Sequence, residues 1–294
     1  MTVTRPDVSA SSRTSSAVRV RLLENDDLGE LQALIAADPI VNAVVAARLH
    51  EVGDLGDAGL SGSLIGVEIG GRLVGGCFNG GNLMPFCPDP RAVAPLAHFL
   101  ADRPRICSAV VGRREVLTPL WSVLGRSWSR PRLLRPQQPL LVVSSVDAAA
   151  VDPQLRPATA KDLDNYLPAA AAMFTEELGL SPFLHMTRAA YRERLGSLVS
   201  ARRALLLNDV NGHVIFKAEL AAVSPDTCQI QGVWVRPDLR GQGISGPAMA
   251  GVVQYALRLA PSASLYVNDF NIPARRLYER LGMRPVATLT TILF

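Results

Sequence analysis

The run Arg240-Gly241-Gln242-Gly243-Ile244-Ser245 has the residue types and spacing of an anion cradle. Glycines at 241 and 243 let the backbone turn tightly and bring successive N–H groups close to a bound group. Immediately downstream, Met249, Val252, Val253, Ala256, Leu257 and Ala260 recur at three- and four-residue steps, which predicts a helix over about Gly246–Leu259 packed on a sheet. The unpaired N–H donors and positive end of that helix would add to the loop and suit it to phosphate. Pro247 falls early in the helix, where its missing N–H costs little. No Lys-Ser or Lys-Thr follows the glycines, and their spacing is not that of a dinucleotide fingerprint. The cradle therefore belongs to neither common nucleotide-binding class.

The strand before the loop carries a second device. Cys228 and Ile230 alternate on one face, but beyond Gly232 the apolar phase passes to Val233 and Val235. One extra residue at Gly232 accounts for the change, so a bulge is expected there. A bulge would splay the strand from its neighbour and free backbone groups for an extended ligand.

Elements that could position these devices recur twice along the chain. In the first half we expect a strand at Val18–Leu23, helices to about Ala37 and over Asn42–Leu49, and a hairpin of Ser63–Ile69 and Arg72–Asn79 turning at Gly70–Gly71. Three prolines should then block regular structure around Met84–Pro90. A helix near Ala92–Leu100, a strand at Ile106–Val111, a helix from Arg114 stopping at Gly125 and a last strand at Leu140–Ser144 follow. The second half repeats the order: a strand from Leu155, helices at Asp162–Ala172 and Arg188–Val199, and a hairpin of Leu205–Leu207 and Val214–Ala218 across Asn211–Gly212. The long strand Cys228–Val235, the cradle and its helix, a strand at Leu265–Val267, a helix at Pro273–Leu281 and a final strand at Thr288–Phe294 complete it. Asp27-Leu28 matches Asp162-Leu163, and Leu120–Gly125 lies over Leu277–Gly282, in the same order. Two copies of one fold explain this best.

Bulk properties narrow the class. The chain has 294 residues, 48% hydrophobic, enough for two cores. Its net charge of +4 is modest, although eight arginines gather between Arg103 and Arg135. No aromatic-interleaved or helix-turn-helix pattern accompanies them, so nucleic acid is not an expected partner. Cys77, Cys87, Cys107 and Cys228, like the four histidines including His185 and His213, lack metal-ligand spacing, so no metal is expected. Free thiols, the polar start up to Ala17 and the lack of an apolar run of about 20 residues predict a cytoplasmic protein with a disordered tail and no membrane partner.

Val235-Arg236-Pro237-x-x-Arg240-Gly241-Gln242-Gly243-Ile244, followed by Asn268-x-x-Asn271-x-x-Ala274-Arg275-x-Leu277-Tyr278-Glu279-Arg280-Leu281-Gly282-Met283, resembles the GCN5-related N-acetyltransferase (GNAT) superfamily. The motifs cover about Gln229–Pro285, and the order of elements extends the likeness over the second half and more loosely over the first. Ser245 departs from the Gly or Ala usual there, but it is small and keeps its N–H. The whole chain is similar to tandem-domain members found in actinobacteria. The resemblance implies an α/β (α+β) chain of two tandem domains, each a mixed, mostly antiparallel sheet flanked by helices, with a splayed central strand pair in the second. Boundaries would fall at 1–17 (tail), 18–146 (degenerate copy), 147–154 (linker) and 155–294 (acyl-CoA-binding domain).

Carried across, the family roles give Val233 and Val235 backbone contacts to the pantetheine of acetyl-CoA or another acyl-CoA. The N–H groups of Arg240, Gly241, Gln242, Gly243, Ile244 and Ser245 would take the pyrophosphate. Asn271 would contact the cofactor arm, and Tyr278 would stand beside the thioester sulfur as the acid. The Val235 N–H could polarise the carbonyl. Glu219, expected at the end of the hairpin strand, could collect the proton of an amine on a small molecule or protein. Glu176 and Glu177, expected just after the first helix of the domain, could bind a cationic acceptor. The first half has Pro85-Phe86-Cys87-Pro88-Asp89-Pro90 in place of the cradle, Trp121 in place of Tyr278 and Arg114 in place of Asn271. It would therefore be structural, shape the acceptor pocket or mediate association, with a homodimer left open. The competing reading is a noncatalytic acyl-CoA-binding regulatory module.

Overall fold

The computed structural model describes residues 17–294 apart from Asp57 and His185. The expected tail, save Ala17, and His185 lie outside the described residues. The first half runs β1 (Val18–Leu22), α1 (Leu28–Ala36), α2 (Ala43–Val52), β2 (Gly62–Ile69), β3 (Arg72–Gly80), β4 (Asn82–Phe86), α3 (Val93–Ala101), β5 (Ala109–Arg113), α4 (Arg114–Ser127) and β6 (Leu133–Val143). The second runs β7 (Arg156–Pro157), α5 (Leu163–Leu178), α6 (Arg188–Ser200), β8 (Ala204–Asn208), β9 (Val214–Val223), β10 (Cys228–Val235), α7 (Ser245–Ala256), β11 (Ala263–Tyr266), α8 (Ile272–Arg280) and β12 (Arg284–Leu293).

Matched residues in the two halves carry matched local structure. Asp27 closes a capping box with Glu24, and Asp162 closes one with Thr159. Each aspartate also pairs with an arginine on the first strand of its half, Arg21 at 2.6 Å and Arg156 at 2.7 Å. A carboxylate three residues into the turn serves both the orphan N–H of the cap and the positive end of the following helix.

Separate sheets were expected, but all strands join one mixed, mostly antiparallel sheet in the order β1-β2-β3-β4-β5-β12-β6-β11-β10-β9-β8-β7. The last strand of each half lies in the other half's sheet: β12 pairs with β5 and β6 pairs with β11. The two meet in a long antiparallel seam from Arg284↔Val142 to Leu293↔Leu133. Thr290 Oγ1 donates to the Pro136 carbonyl across it at 2.9 Å, and Thr291 Oγ1 to Gln138 Oε1 at 2.5 Å. Leu140 and Leu289 are buried with Ala109 and Val111, so a single apolar cluster spans the seam.

Several expected boundaries move, and the two seam strands are longer than expected: β6 begins at Leu133 rather than Leu140, running through Pro136 and Pro139, and β12 at Arg284 rather than Thr288. Met84–Pro90 is not wholly irregular, because β4 forms through Pro85. Pro85 lies beyond the last residue paired with β5, so its missing N–H removes no ladder bond on that edge. Helix α4 continues through Gly125 to Ser127, with Trp121 packed 3.1 Å from where a Gly125 Cβ would sit. Helix α5 runs on to Leu178 and stops at Gly179, whose φ of 70° gives the left-handed cap.

Because each sheet half is completed by the other's last strand, the halves should unfold together. Trp121 and Trp128 report on the first half and Trp234 on the second. Urea curves of W121F/W128F and W234F, followed by fluorescence and by circular dichroism, are expected to give one coincident transition each. Separate midpoints for fluorescence and circular dichroism within either variant would show independent halves.

Candidate active site

Strand β10 pairs in parallel with β11 only through Cys228↔Ala263 and Gln229↔Ser264, and beyond Gln229 the two part. On its other edge, Gln231 faces Glu219 and Trp234 faces Lys217. Three steps on β10 thus oppose two on β9, which locates a one-residue bulge at Gly232–Val233, with Gly232 at φ 59°. The expected bulge is in place. Past it, the Arg236 N–H donates to the Ile215 carbonyl at 2.9 Å. By the alternation of an antiparallel ladder, Val235 turns its own N–H and C=O toward the gap. Its carbonyl accepts from Arg240 Nε at 3.0 Å, and its N–H finds no acceptor among the described residues.

The cradle follows a short 3-10 turn at Pro237–Leu239. Gly241 and Gly243 have φ of 77° and 83°, and a Cβ on either would meet no atom within 4 Å. These glycines are required by conformation, not by crowding. The Arg240 N–H, expected as a cradle donor, closes the 3-10 turn instead by donating to the Pro237 carbonyl at 3.3 Å, whereas those from Gly241 through Ser245 donate to no acceptor among the described residues, and α7 begins at Ser245. Five unpaired donors thus run into a helix N-terminus. Beside them a groove of about 630 Å³ is lined by Gly246, Pro247, Leu277, Arg280 and residues 149–154.

Helix α8 supplies the other wall. Asn271 Oδ1 caps it by accepting from the Ala274 N–H at 3.3 Å, so this side chain has a local role as well as the expected one. Tyr278 is buried among the residues that pack α7 and α8 on the sheet, and its hydroxyl makes no hydrogen bond among the described residues. Burial pushes its phenol well above the ordinary tyrosine range. The group stays protonated at neutral pH, as an acid must before it acts.

Glu219 is not at the end of the hairpin strand, which was expected to stop at Ala218 but runs to Val223. It lies within β9, 4% exposed, with Lys217 beside it and fully buried. Lys217 Nζ donates to Glu219 Oε1 at 2.5 Å, Tyr166 to the same oxygen at 2.8 Å, and Gln231 Nε2 to Oε2 at 3.4 Å. Burial alone would raise the Glu219 carboxyl, but Lys217 and Tyr166 outweigh it and hold it below its ordinary value. Burial draws the Lys217 ammonium down in turn. A Cβ on Gly232 would stand 3.2 Å from Met173 and 3.3 Å from both Glu219 and Lys217, so the bulge rests directly on the ion pair. Sequence reasoning missed Lys217. Its signal was a charge two residues from Glu219, hence on the same strand face, inside an otherwise apolar run.

Glu176 and Glu177 occupy the last turn of α5, not the segment after it. Glu176 accepts from Trp234 Nε1 at 3.1 Å and pairs with Arg240 at 2.5 Å. Glu177 pairs with the buried Arg135 at 3.1 Å, and its carbonyl accepts from the same guanidinium. Both carboxylates are thus met by arginines and leave no unpaired negative charge for a cation.

The first half has the same parting, with β4 joined to β5 only at Asn82↔Ala109 and Leu83↔Val110. Pro85 stands at this parting, 3.0 Å from where a Gly112 Cβ would be. Asp89 caps a proline-led turn where the other half has its glycines. Trp121 packs edge-on to Phe294, and Arg114 begins α4. No group of three or more His, Cys, Asp or Glu among the described residues could hold a metal. No helix among them is long and apolar enough to cross a membrane.

Lys217→Met alone should destabilise the fold by about 3–5 kcal/mol by leaving Glu219 buried and uncompensated, and the K217M/E219Q pair should recover much of the loss. Glu219 is held low, so its stabilisation is complete above its ordinary pKa of 4.5 and is lost as pH falls through the folded-state value. Urea titrations from pH 7 to pH 3 should therefore show the stability gap moving toward the double variant below about pH 4.5. A pH-independent gap would contradict the ion pair.

Residues 167–283 match the Acetyltransferase (GNAT) family, and residues 62–166 match a domain of unknown function (DUF4081). No curated protein matches the sequence significantly. Among solved structures, a GCN5-related N-acetyltransferase from Sphaerobacter thermophilus is 15% identical with a TM-score of 0.61, over 94% of each chain. A GNAT-family acetyltransferase from Colwellia psychrerythraea is 13% identical with a TM-score of 0.55, over 94% of this chain and 99% of the other. A tandem GNAT protein from the clavulanic acid biosynthesis pathway is 13% identical with a TM-score of 0.53, over 94% and 98%. The chain has the fold of the GNAT-superfamily acetyltransferases and is structurally similar to tandem GNAT proteins.

Proposed function

We propose that the chain is an N-acetyltransferase that uses acetyl-CoA, or another acyl-CoA, to acylate an amine by direct attack in a ternary complex. One observation carries this reading: β10 bulges at Gly232 where it parts from β11, and five unpaired N–H groups follow at the head of α7. In our reading residues 155–294 form the acyl-CoA-binding unit, residues 147–154 link it, and residues 18–146 are a degenerate copy with Pro85 at its parting. The acceptor is an amine of a small molecule or of a protein.

Acetyl-CoA would supply an acyl group activated as a thioester. The backbone of Gly241–Ser245 would hold the pyrophosphate, with Arg240 kept in place through Glu176 and the Val235 carbonyl. Val233 and Val235 would line the pantetheine path, and Asn271 would flank it from the start of α8. The Val235 N–H would donate to the thioester carbonyl oxygen. As the amine nitrogen bonds to the carbonyl carbon and the C–S bond breaks, Tyr278 would protonate the departing sulfur. The amine's proton then restores the phenol through water, so that an amide and a thiol are the products. Glu219 is a weak base while paired with Lys217, and we assign it chiefly to holding the bulge, with the amine arriving neutral.

That same pairing is what favours the second reading, a noncatalytic acyl-CoA-binding module, since Glu176, Glu177 and Glu219, the carboxylates expected at the site, are each paired with a cation. Calorimetry and turnover separate the two. Acetyl-CoA should bind the wild-type chain, and Gly243→Pro, which removes an N–H and cannot adopt positive φ, should abolish binding. Tyr278→Phe should leave the dissociation constant within about twofold while lowering kcat by about a hundredfold or more. Binding without thiol release across a broad amine panel would favour the module. No binding at all would remove both readings.

A further inference from the structure

Helix α2 of the first half packs over β9 and β10 of the second. It encloses a cavity of about 620 Å³ that reaches Gln229, Gln231 and Tyr266, the residues flanking the point where β10 and β11 part. The volume is that of a small-molecule site. Its charge comes from both halves: Arg48 and Glu51 on α2, Arg194 on α6, and Arg203 just before β8. Glu51 is the only carboxylate on the lining among the described residues, and Arg203 neutralises it at 2.5 Å. Arg48 donates only to the Leu60 carbonyl at 3.3 Å and lies 4.9 Å from the Phe78 ring. Arg194 has neither a hydrogen bond nor an ion pair among the described residues. Arg48 and Arg194, one from each half, thus line this cavity without an ion-pair partner among the described residues, although the Arg194 charge also helps to hold the nearby Glu219 carboxyl low.

We infer that the acceptor is a small amine that also bears an oxyanion, a carboxylate or a phosphate, which Arg48 and Arg194 bind while the amine lies toward Gln231 and Tyr266. This rests on the acyl-transfer reading and names the substrate class for it. Guanidinium groups suit such anions because their planar donors match the oxygens. A cationic acceptor, by contrast, would meet two like charges. The first half then contributes directly to substrate choice, because its α2 brings one of the two specificity-determining residues to the other half's opening.

Matched acceptors test the inference: 4-aminobutyrate against putrescine, and phosphoethanolamine against ethanolamine, each with acetyl-CoA and thiol release as the signal. The acid-bearing member of at least one pair should be the better substrate, and which pair responds distinguishes carboxylate from phosphate. R194M and R48M should each raise KM for that substrate about ten- to a hundredfold with little change in kcat, and R48K should recover part of the loss. Neither should change the calorimetric affinity for acetyl-CoA, whose binding tests the parent reading separately. The inference is overturned if the uncharged or cationic members are preferred, if no acid-bearing amine is acetylated, or if R194M leaves KM unchanged.

Discussion

A buried lysine and a buried glutamate, two residues apart on one strand, are the constraint around which the second half is organised. Neither charge can be buried alone at tolerable cost, so each requires the other. Their shared requirement brings Tyr166 from α5 and Gln231 from β10 to complete the network. It also leaves just enough room above for a residue without a side chain, which is Gly232. The bulge follows from that contact. Through the bulge, Val235 turns its N–H toward the gap, and the cradle is delivered to the start of α7. Electrostatics beneath the strand thus set the geometry above it.

The two halves share an architecture and differ in how one feature of it is finished. Both halves of the sheet part at the equivalent strand pair, and both first helices begin with the same aspartate-centred cap. In one half the parted strands lead to glycines and unpaired donors. In the other, Pro85 packs against Gly112, and proline-led structure follows. A parted strand pair exposes backbone groups and is costly unless something fills it. A proline ring stands at one here, and we assign the other to a ligand.

Exchange of the last strands makes the halves mutually dependent. With β12 between β5 and β6, neither half has a complete sheet by itself, and the seam buries Leu140 and Leu289 in one cluster. The same arrangement sets α2 of the first half over β9 and β10 of the second and so builds the cavity between them. The first half thus supplies a wall and a charge to that cavity.

Local features of this chain were legible in its residues because they depend on neighbours in sequence. The bulge could be read from the phase change at Gly232, the cradle from glycines at 241 and 243, and the repeat from Asp27-Leu28 and Asp162-Leu163. Each is set by backbone conformation or by a period of two or 3.6 residues. Relations between distant segments were not legible. Apolar alternation marks β6 and β12 as strands but does not say which edge each will join, since the ladder bonds are the same on either side. Glu219 read as the end of the hairpin strand because the extent of β9 and the covering by α5 are tertiary facts. Glu176 and Glu177 read as free acids because Arg240 and Arg135 reach them only after folding. The prolines around Pro85 read as a break, whereas the missing N–H falls where a parted sheet asks for none. Sequence determined which segments could turn, cap and cradle an anion; packing alone decided which charges were left unpaired, and therefore what the cavity between the halves can hold.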